Sequence, residues 1–342
     1  MSANTPEVSV LLPAAGPAPW LNQSIESMLG QTEPGFELLL IDDGLIPPIH
    51  ARDIVGRDDP RVRWLATEAP HRGLVAALTL GLAAARGRFI ARMDADDVSH
   101  PERLAHQAHR LRECPELGLV SCRVRYDCAG GEGIGYARHV DWCNRLLTRE
   151  QIDLYRFVDS PCPHPTVMFR AELPGSLGGY RAGPFPEDYE LWLRWLDAGV
   201  AMEKMDEELL VWRDSPGRLS RTDPRYATDA FYEIKAQYLA RWSQARNPFH
   251  PHVTVWGAGR ITRRRMRPLE AHGLRIDAFV DIDPNKVGRL VDGKPVIAPD
   301  ELPEPGRCFV LSYVGARGAG ARIEAYLNGR GYQVGRDYLL AA

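Results

Sequence analysis

The chain has 342 residues, more than one hydrophobic core usually holds, so we expect two domains. Its hydrophobic content of 44% is ordinary for a globular protein. The formal net charge of −3 provides no basic surface of the kind that binds nucleic acid, which excludes that class of partner.

The sequence shows no targeting or membrane-spanning segment. Its first apolar run, Val8 to Leu12, is far too short for a signal peptide or a transmembrane helix, and no other run is long enough. The six cysteines form no CxxC pair and have no histidine at zinc-site spacing, so they are interpreted as reduced thiols. We therefore expect a cytoplasmic protein, either free or peripheral at the inner face of the membrane.

Short apolar strands alternate with helices in the N-terminal part of the chain. The predicted elements are a strand at 8–13, a loop at 14–19, a helix at 21–29, strands at 36–41 and 61–65, a helix at 74–85, a strand at 88–93 and a helix after 101. Ser99 and Glu102 fit a capping box for the last helix. The βαβ order predicts a parallel sheet, and ligands bind such sheets at the carboxyl ends of the strands.

Acidic residues follow two of these predicted strands. Asp42 and Asp43 end the second strand, and Asp94, Asp96 and Asp97 end the strand at 88–93. Three carboxylates within four residues repel one another, so they call for a hard divalent cation that could carry a substrate diphosphate. A solvated acidic turn before the next helix is the alternative. Convergence of the two strand ends on one crevice favours the metal site.

An ordered set of motifs in this region resembles the family 2 glycosyltransferases of GT-A fold. The motifs are VSVLLP (8–13), SMLGQ (27–31), LIDDG (40–44), RG (72–73), MDADD (93–97), HPTVMFR (164–170), GGY (178–180) and EDYELWLR (187–194). The resemblance runs from about residue 8 to about residue 222. It implies an α/β fold with a GT-A glycosyltransferase domain at 1–222, which transfers a sugar from a nucleotide-sugar donor.

The resemblance implies donor-side roles for several of these residues. Asp42 and Asp43 match the position that recognises the nucleotide base, usually uracil, whose N–H a carboxylate can accept; a plain turn residue is the alternative. Arg72 matches a position near the nucleotide, or is a surface arginine. In the DxD motif, Asp94 would lie near the ribose, and Asp96 would bind the Mn²⁺ or Mg²⁺ that bridges the diphosphate. Asp97, the next residue, is expected to support the site or cap a helix.

The acceptor side rests on a second acidic pair. The resemblance makes Asp188 the general base that takes the proton from the acceptor hydroxyl in a single-displacement, inverting reaction, with Glu187 as the other candidate. Acids at a helix N-terminus also interact favourably with the helix dipole, so a purely structural role for this pair is the alternative. His164 either lines the acceptor side or is a hydrogen-bonded core histidine. The segments at 129–140 and 145–161 are expected to be acceptor loops.

The chain departs from the family at two places. The family's aromatic residue and Asn after the first strand are replaced by Ala14-Ala15-Gly16-Pro17, so Pro13 and Ala15 would contact the nucleotide through the backbone. Ser215 stands where many relatives carry a late metal-binding or diphosphate-binding His. The nearby candidates to replace that histidine are Arg213, Asp214 and Arg218. An arginine suits a diphosphate better than a metal, so Arg218 is placed on the donor side.

The last third of the chain is predicted to be a smaller Rossmann-like domain at 251–342, joined by a connecting helix and linker at 223–250. Asp281 lies 24 residues after Gly257, which suits a dinucleotide fingerprint, although Thr262 replaces the third glycine. Arg263, its two neighbours and Arg267 form a basic cluster in the following helix. The domain could serve assembly or acceptor positioning, or bind a nucleotide, sugar phosphate or dinucleotide.

These features predict a metal-dependent inverting glycosyltransferase that moves one sugar from a nucleotide-sugar donor in cell-surface polysaccharide or glycan biosynthesis. A UDP-sugar is the favoured donor. A glycan, a lipid-linked glycan and a protein all remain open as acceptors, and so does homo-oligomerisation. The absence of a Gln-x-x-Arg-Trp motif and of membrane helices argues against a processive synthase. The alternative is an NAD(P)- or nucleotide-binding oxidoreductase or sensor that acts through the C-terminal domain.

Overall fold

The structure, a computed structural model, describes residues 5–46, 54, 58–70, 72–128, 134–214 and 218–342. The chain divides into two compact units that are interleaved in sequence. The first unit comprises Met1–Ile152, Pro161–Gly183 and Arg194–Thr222, and the second comprises Asp153–Ser160, Pro184–Leu193 and Asp223–Ala342.

The first unit is a mixed α/β structure. Its strands are β1 (Val8–Gly16), β2 (Phe36–Leu45), β3 (Val62–Ala66), β4 (Phe89–Arg92), β5 (Val98–Ser99), β6 (Leu117–Cys128), β7 (Met168–Arg170) and β8 (Ala201–Asp214). Its helices are α1 (Leu21–Leu29), α2 (Leu74–Ala84), α3 (Arg103–Glu113), α4 (Ile134–Arg145), the start of α5 (Arg149–Tyr155), α6 (Leu173–Leu177), the end of α7 (Glu187–Asp197) and α8 (Leu219–Thr222).

The sheet of the first unit has the order β3-β2-β1-β4-β7-β6-β8-β5. Strands β3, β2, β1 and β4 are parallel, whereas β7 is antiparallel to both of its neighbours. Residues 8–14 of β1 are buried without a break, as expected for a parallel strand that is covered on both faces. The α/β fold and the parallel N-terminal strands predicted from the sequence are therefore confirmed.

This topology places the acidic residues at one edge of the sheet. Strand β1 pairs in parallel with β2 on one side and with β4 on the other. Asp42 and Asp43 lie near the carboxyl end of β2, and Asp94 lies two residues after β4. Because parallel strands end at the same edge, both acidic groups lie there, on either side of β1.

Local predictions fail where strand pairing overrides a loop or cap signal. Strand β1 continues through Gly16, which is paired with Leu45, so the loop predicted at 14–19 begins later. The capping box does not form, because Ser99 is paired with Leu210 in the sheet and α3 begins at Arg103 without a side-chain cap.

The segments predicted to be acceptor loops are largely helical. Val140 lies inside α4, and residues 149–155 form α5. Residues 129–133 of the first predicted loop lie outside the described part of the chain. Within the connecting helix and linker predicted at 223–250, the structure has a 3₁₀ turn, Pro224–Tyr226, followed by the helix α9, Thr228–Arg246.

The second unit contains a sheet with the order β11-β12-β10-β9-β13-β14. Its elements, besides α9 and parts of α5 and α7, are β9 (His252–Trp256), α10 (Arg260–Ala271), β10 (Arg275–Val280), β11 (Leu290–Val291), β12 (Lys294–Ile297), β13 (Val310–Ser312), α11 (Ala319–Gly329) and β14 (Tyr338–Leu340). All pairings are parallel except that of β11 with β12. Across the described ranges of both units, no helix is long and apolar enough to cross a membrane.

Candidate active site

Three carboxylates form a tight cluster immediately after β4. One carboxylate oxygen from each of Asp94, Asp96 and Asp97 lies within 4.8 Å of the other two. Strand β4 is buried along its whole length, so its end is fixed in position and the carboxylates that follow it lie at the edge of the sheet. The hydroxyl of Ser24 on α1 donates a 2.7 Å hydrogen bond to the carbonyl of Asp94 and fixes the turn.

Asp94 is held by two arginines. Arg92 Nη2 lies 2.6 Å from Asp94 Oδ1, and Arg218 Nη2 lies 3.6 Å from Asp94 Oδ2. Burial alone would raise the pKa of this carboxyl, but the positive charges of Arg92 and Arg218 outweigh it and lower the pKa. Asp94 is therefore an anion whose position is fixed on both sides.

Asp97 connects the cluster to the distant end of β8. Its Oδ1 accepts a 2.9 Å hydrogen bond from the backbone N–H of Arg213. Its Oδ2 is buried without a hydrogen-bond partner among the described residues. Burial and the neighbouring Asp94 charge raise the pKa of Asp97 well above its usual value. Asp97 therefore supports the site, and it does not cap α3.

The cluster suits a hard divalent cation. Burial, followed by the charge of Asp94, raises the pKa of Asp96, so an added positive charge would favour its ionised form. The three carboxylates and the unpartnered Oδ2 of Asp97 offer the oxygen ligands that Mg²⁺ and Mn²⁺ prefer. The residues present therefore fit a divalent metal.

Arg218 is fixed by three contacts. Its guanidinium lies 4.5 Å from the centroid of the Trp212 ring, and its Nη1 donates to the carbonyl of Arg213. The third contact is with Asp94, and only 11% of the side chain is exposed. The sequence-predicted donor-side arginine thus lies beside the carboxylates, on the segment that follows β8.

Two further arginines of the site were missed in the sequence. Arg92 lies within the apolar run of β4 and is 2% exposed, and Arg103 on α3 is fully buried. Arg103 Nη1 donates to the carbonyls of Arg92 and Pro165, and burial lowers its pKa to about 10. The signal for Arg92 was a basic residue inside a buried strand, just before the acids. No local signal distinguished Arg103.

His164 lies in a 3₁₀ turn, His164–Thr166. Its Nε2 is 2.8 Å from the hydroxyl of Tyr180, and both side chains are buried. Burial and the nearby charge of Arg92 lower the pKa of His164 well below its usual value, although Asp94 opposes this shift. The ring is therefore a neutral, hydrogen-bonded group close to the carboxylate cluster.

The end of β2 forms a second polar group. Asp42 Oδ1 accepts hydrogen bonds of 2.9 Å from the amides of Gly44 and Leu45 and so closes a tight turn. Asp43 Oδ1 accepts from the Thr67 hydroxyl at 2.7 Å, and both of its oxygens accept from Gly73 N–H. These hydrogen bonds are those expected of plain turn residues, and they do not exclude contact with a nucleotide base.

Arg72 lies over the β2 turn. Gly44 has a φ of +97°, a backbone conformation that favours glycine, and a Cβ at this position would lie 3.3 Å from Arg72 Nη1. Arg72 itself is exposed. At the end of β1, Pro13 is buried opposite Ile41, whereas Ala15 is exposed.

The second unit holds the other acidic pair, at the N-terminus of α7. Glu187 is 1% exposed, and its Oε1 and Oε2 lie 2.9 Å and 2.8 Å from the hydroxyl of Tyr226, which donates to them. Arg225 Nη1 lies 3.9 Å from Glu187 Oε2. Asp188 Oδ1 accepts from the amide of Tyr189 at 2.7 Å. Tyr226 was not identified from the sequence, where it carries no motif.

The predicted dinucleotide fingerprint is largely closed by internal contacts. Asp281 Oδ2 accepts from the amide of Ala258 at 3.0 Å and forms a salt bridge with Lys286. A Cβ at Gly257 would lie 2.8 Å from Val314 and 2.9 Å from Thr262, so this glycine permits close packing.

The basic cluster of α10 is divided among local partners. Arg263 pairs with Asp292, Arg264 pairs with Asp229, and Arg265 stacks on Tyr232.

Comparison with known proteins finds similarity to glycosyltransferases. Residues 9–173 match the model of glycosyl transferase family 2. An uncharacterized glycosyltransferase of Rickettsia felis is 26% identical over 248 residues, which are 69% of this chain and 38% of that protein. The chain thus spans about two fifths of the length of this relative. The O-antigen biosynthesis glycosyltransferase WbnJ of Escherichia coli is 28% identical over 246 residues, covering 70% of this chain and 90% of that protein.

A solved structure matches the fold. The crystal structure of S. aureus TarS 1–349 in complex with UDP-GlcNAc superposes with a TM-score of 0.56 at 16% identity, covering 69% of this chain and 66% of that chain. At this identity the match concerns the fold alone. The structure therefore shares an α/β fold with this glycosyltransferase structure over about two thirds of the chain.

Proposed function

We propose that the protein is a metal-dependent, inverting glycosyltransferase that uses a nucleotide-sugar donor, with a UDP-sugar as the favoured candidate. The observation that carries this proposal is the cluster of Asp94, Asp96 and Asp97, bounded by Arg92 and Arg218 at the carboxyl end of β4. Such a combination of carboxylates and guanidinium groups binds a metal and a diphosphate together. The family match and the fold similarity agree with it.

On the donor side, Asp96 would hold Mn²⁺ or Mg²⁺ and Asp94 would lie near the ribose. The metal supplies Lewis-acid stabilisation of the departing diphosphate when it is bound. Asp42 and Asp43, with Arg72 above their turn, would contact the base, and Pro13 and Ala15 would contact the nucleotide through the backbone. Arg218 would bind the diphosphate as a fixed cation.

On the acceptor side, Asp188 is proposed as the general base. Its neighbour Glu187 is buried and accepts hydrogen bonds from the Tyr226 hydroxyl, so Glu187 is better suited to hold the start of α7 than to take a proton. His164, neutral and bonded to Tyr180, would line the acceptor side. Inversion requires one base acting opposite the leaving group.

We propose that the acceptor is an intermediate of cell-surface polysaccharide or glycan biosynthesis, and the similarity to WbnJ, which is named as an O-antigen biosynthesis glycosyltransferase, supports this proposal. A single sugar would be added to a glycan, a lipid-linked glycan or a protein. We place the reaction in the cytoplasm or at the inner face of the membrane.

We further propose a catalytic domain at 1–222, a connector at 223–250 and a Rossmann-like domain at 251–342. The strand order β12-β10-β9-β13-β14 supports the last of these, because numbered along the chain it reads 3-2-1-4-5, an order typical of doubly wound folds. The oxidoreductase alternative is less well supported, since Asp281 is already engaged by Ala258 and Lys286.

The proposal is tested by titrating a panel of nucleotide sugars into the protein with Mn²⁺ and measuring binding and donor hydrolysis. We expect one donor to bind, Asp96→Ala to abolish the metal-dependent part of binding, and Asp188→Asn to bind donor normally but lose donor hydrolysis. Asp206→Ala, which removes an exposed carboxylate of β8, is the matched control. If no donor binds and Asp96→Ala has no effect, the proposed function is wrong.

A further inference from the structure

We propose that Arg265, in the second unit, binds the phosphate group of a small phosphate monoester at the carboxyl ends of β9 and β13. This site is separate from the carboxylate cluster of the first unit, and it does not depend on the function proposed for that cluster. The observation that carries the inference is a guanidinium without an acidic partner, which lies against a glycine-containing turn at this edge of the sheet.

Arg265 is fixed in position but is not paired. Its guanidinium carbon lies 4.4 Å from the centroid of the Tyr232 ring, and its side chain is partly buried. Its Nε is buried without a hydrogen-bond partner, and within the described part of the chain Arg265 forms neither a salt bridge nor a hydrogen bond. The preceding Arg263 and Arg264 each have an acidic partner. A partly buried charge without a partner is costly, so an anion that pairs with Arg265 would bind favourably.

The topology of the sheet places Arg265 where ligands of such sheets bind. Strands β9 and β13 are parallel neighbours, so the turns that follow them, at 257–259 and 313–318, lie at the same edge. From β9 the chain continues to β10 on one side, and from β13 it continues to β14 on the other side, which makes this pair the switch point of the sheet. A Cβ at Gly315 would lie 2.7 Å from Arg265 Nη1, so the tip of the guanidinium reaches the exposed turn after β13.

The groups around this position also favour an anion. Helices α10 and α11 follow Gly259 and Gly318, and neither helix has a side-chain cap or an acidic residue in its first turn. Their N–H groups and dipoles therefore add positive potential at this edge. The buried hydroxyl of Tyr313 has no hydrogen-bond partner among the described residues. Burial raises the pKa of this hydroxyl, and the charge of Arg265 opposes the rise.

The contacts favour a phosphate monoester over a dinucleotide. Asp281, the residue that would bind the ribose of a dinucleotide, already accepts from the amide of Ala258 and pairs with Lys286. The turn after β9 is closely packed, because a Cβ at Gly257 would lie 2.9 Å from the hydroxyl of Thr262. By contrast, the fork of a guanidinium matches two oxygens of a terminal phosphate. A sugar phosphate is the simplest ligand with this chemistry.

The test is isothermal titration of the full-length protein in metal-free buffer with three probes: inorganic phosphate, glucose 1-phosphate and NAD⁺. We expect at least one of the first two to bind more tightly than NAD⁺. Arg265→Ala should weaken this binding about tenfold or more, as expected for the loss of charge-assisted hydrogen bonds, and Arg265→Lys should lie between that variant and wild type. Gly315→Asp should weaken binding similarly, because it places a carboxylate beside the guanidinium while the contact with Tyr232 is kept.

Arg264→Ala is the matched control, because this neighbouring arginine is exposed and pairs with Asp229. It should bind the probes like wild type, and so should Asp96→Ala in the first unit. Tighter binding of glucose 1-phosphate than of inorganic phosphate would show that the sugar contributes, whereas equal affinity would assign recognition to the phosphate group; both results support the site.

Three results would overturn the inference: neither phosphate compound binds, NAD⁺ binds more tightly than both, or binding is lost in Asp96→Ala but kept in Arg265→Ala. Should Arg265→Ala not fold, Gly315→Asp decides, and binding equal to that of wild type would refute the site. None of these results bears on the binding of a nucleotide sugar with Mn²⁺, which tests the proposed function separately.

Discussion

Replacing Lys235 by methionine should change how the stability of the protein depends on pH. Lys235 lies on α9, and its Nζ donates to the carbonyls of Phe157 at 2.9 Å and of Ala341 at 2.7 Å. The ammonium also lies 3.8 Å from the centroid of the Tyr232 ring. Burial lowers the pKa of Lys235 from 10.5 to about 7, despite the opposing charge of Asp159.

The direction follows from proton linkage. Because the folded pKa lies below the unfolded value, the unfolded chain binds more protons between the two, and stability rises with pH across that window. The full difference between the unfolded and folded pKa values of Lys235 corresponds to a loss of about 5 kcal/mol of unfolding free energy at pH values well below the folded pKa, at about 1.36 kcal/mol for each pKa unit. Between roughly pH 6 and pH 9, wild type should gain about 2.6 kcal/mol of unfolding free energy from this group.

The assay is urea unfolding of wild type and Lys235→Met at several pH values in one buffer mixture, with the free energy obtained by linear extrapolation. The variant leaves two carbonyls without the lysine donor, which costs stability at every pH, but it cannot titrate. All other groups cancel in the difference between the two proteins. If that difference stays constant from roughly pH 6 to pH 9, Lys235 does not titrate in this window and the reasoning is refuted.

Two further predictions concern packing and positioning. Gly87→Ala should lower the unfolding free energy by about 1–3 kcal/mol, because the added Cβ would lie 2.5 Å from the backbone N of Ser9. The control is Gly135→Ala on α4, which should be neutral or stabilising because no atom lies within 4 Å of the added Cβ. Equal urea midpoints for the two variants would contradict this prediction. Tyr226→Phe removes the hydroxyl that donates to Glu187, so kcat should fall about tenfold with donor KM unchanged, whereas an unchanged kcat would exclude a positioning role.

The order of strands and helices in the first unit could be predicted because it depends on local patterns. The apolar run before Asp94 and the helical spacing between Leu21 and Leu29 each lie within a dozen residues, and the structure contains both elements. The acids at the strand ends were visible for the same reason. Cap and loop predictions were weaker, since the pairing of Ser99 with Leu210 depends on a strand more than one hundred residues away.

The surroundings of the acids could not be read from neighbouring residues. Asp97 accepts from the amide of Arg213, and Asp94 is bracketed by Arg92 from its own strand and by Arg218 from beyond β8. Glu187 likewise meets Tyr226 from a later turn. The sequence was sufficient to predict that Asp94, Asp96 and Asp97 follow a buried strand as a group. Their burial, their partners and their preferred protonation states arise when distant segments fold together, because charge pairing and desolvation depend on distance in space.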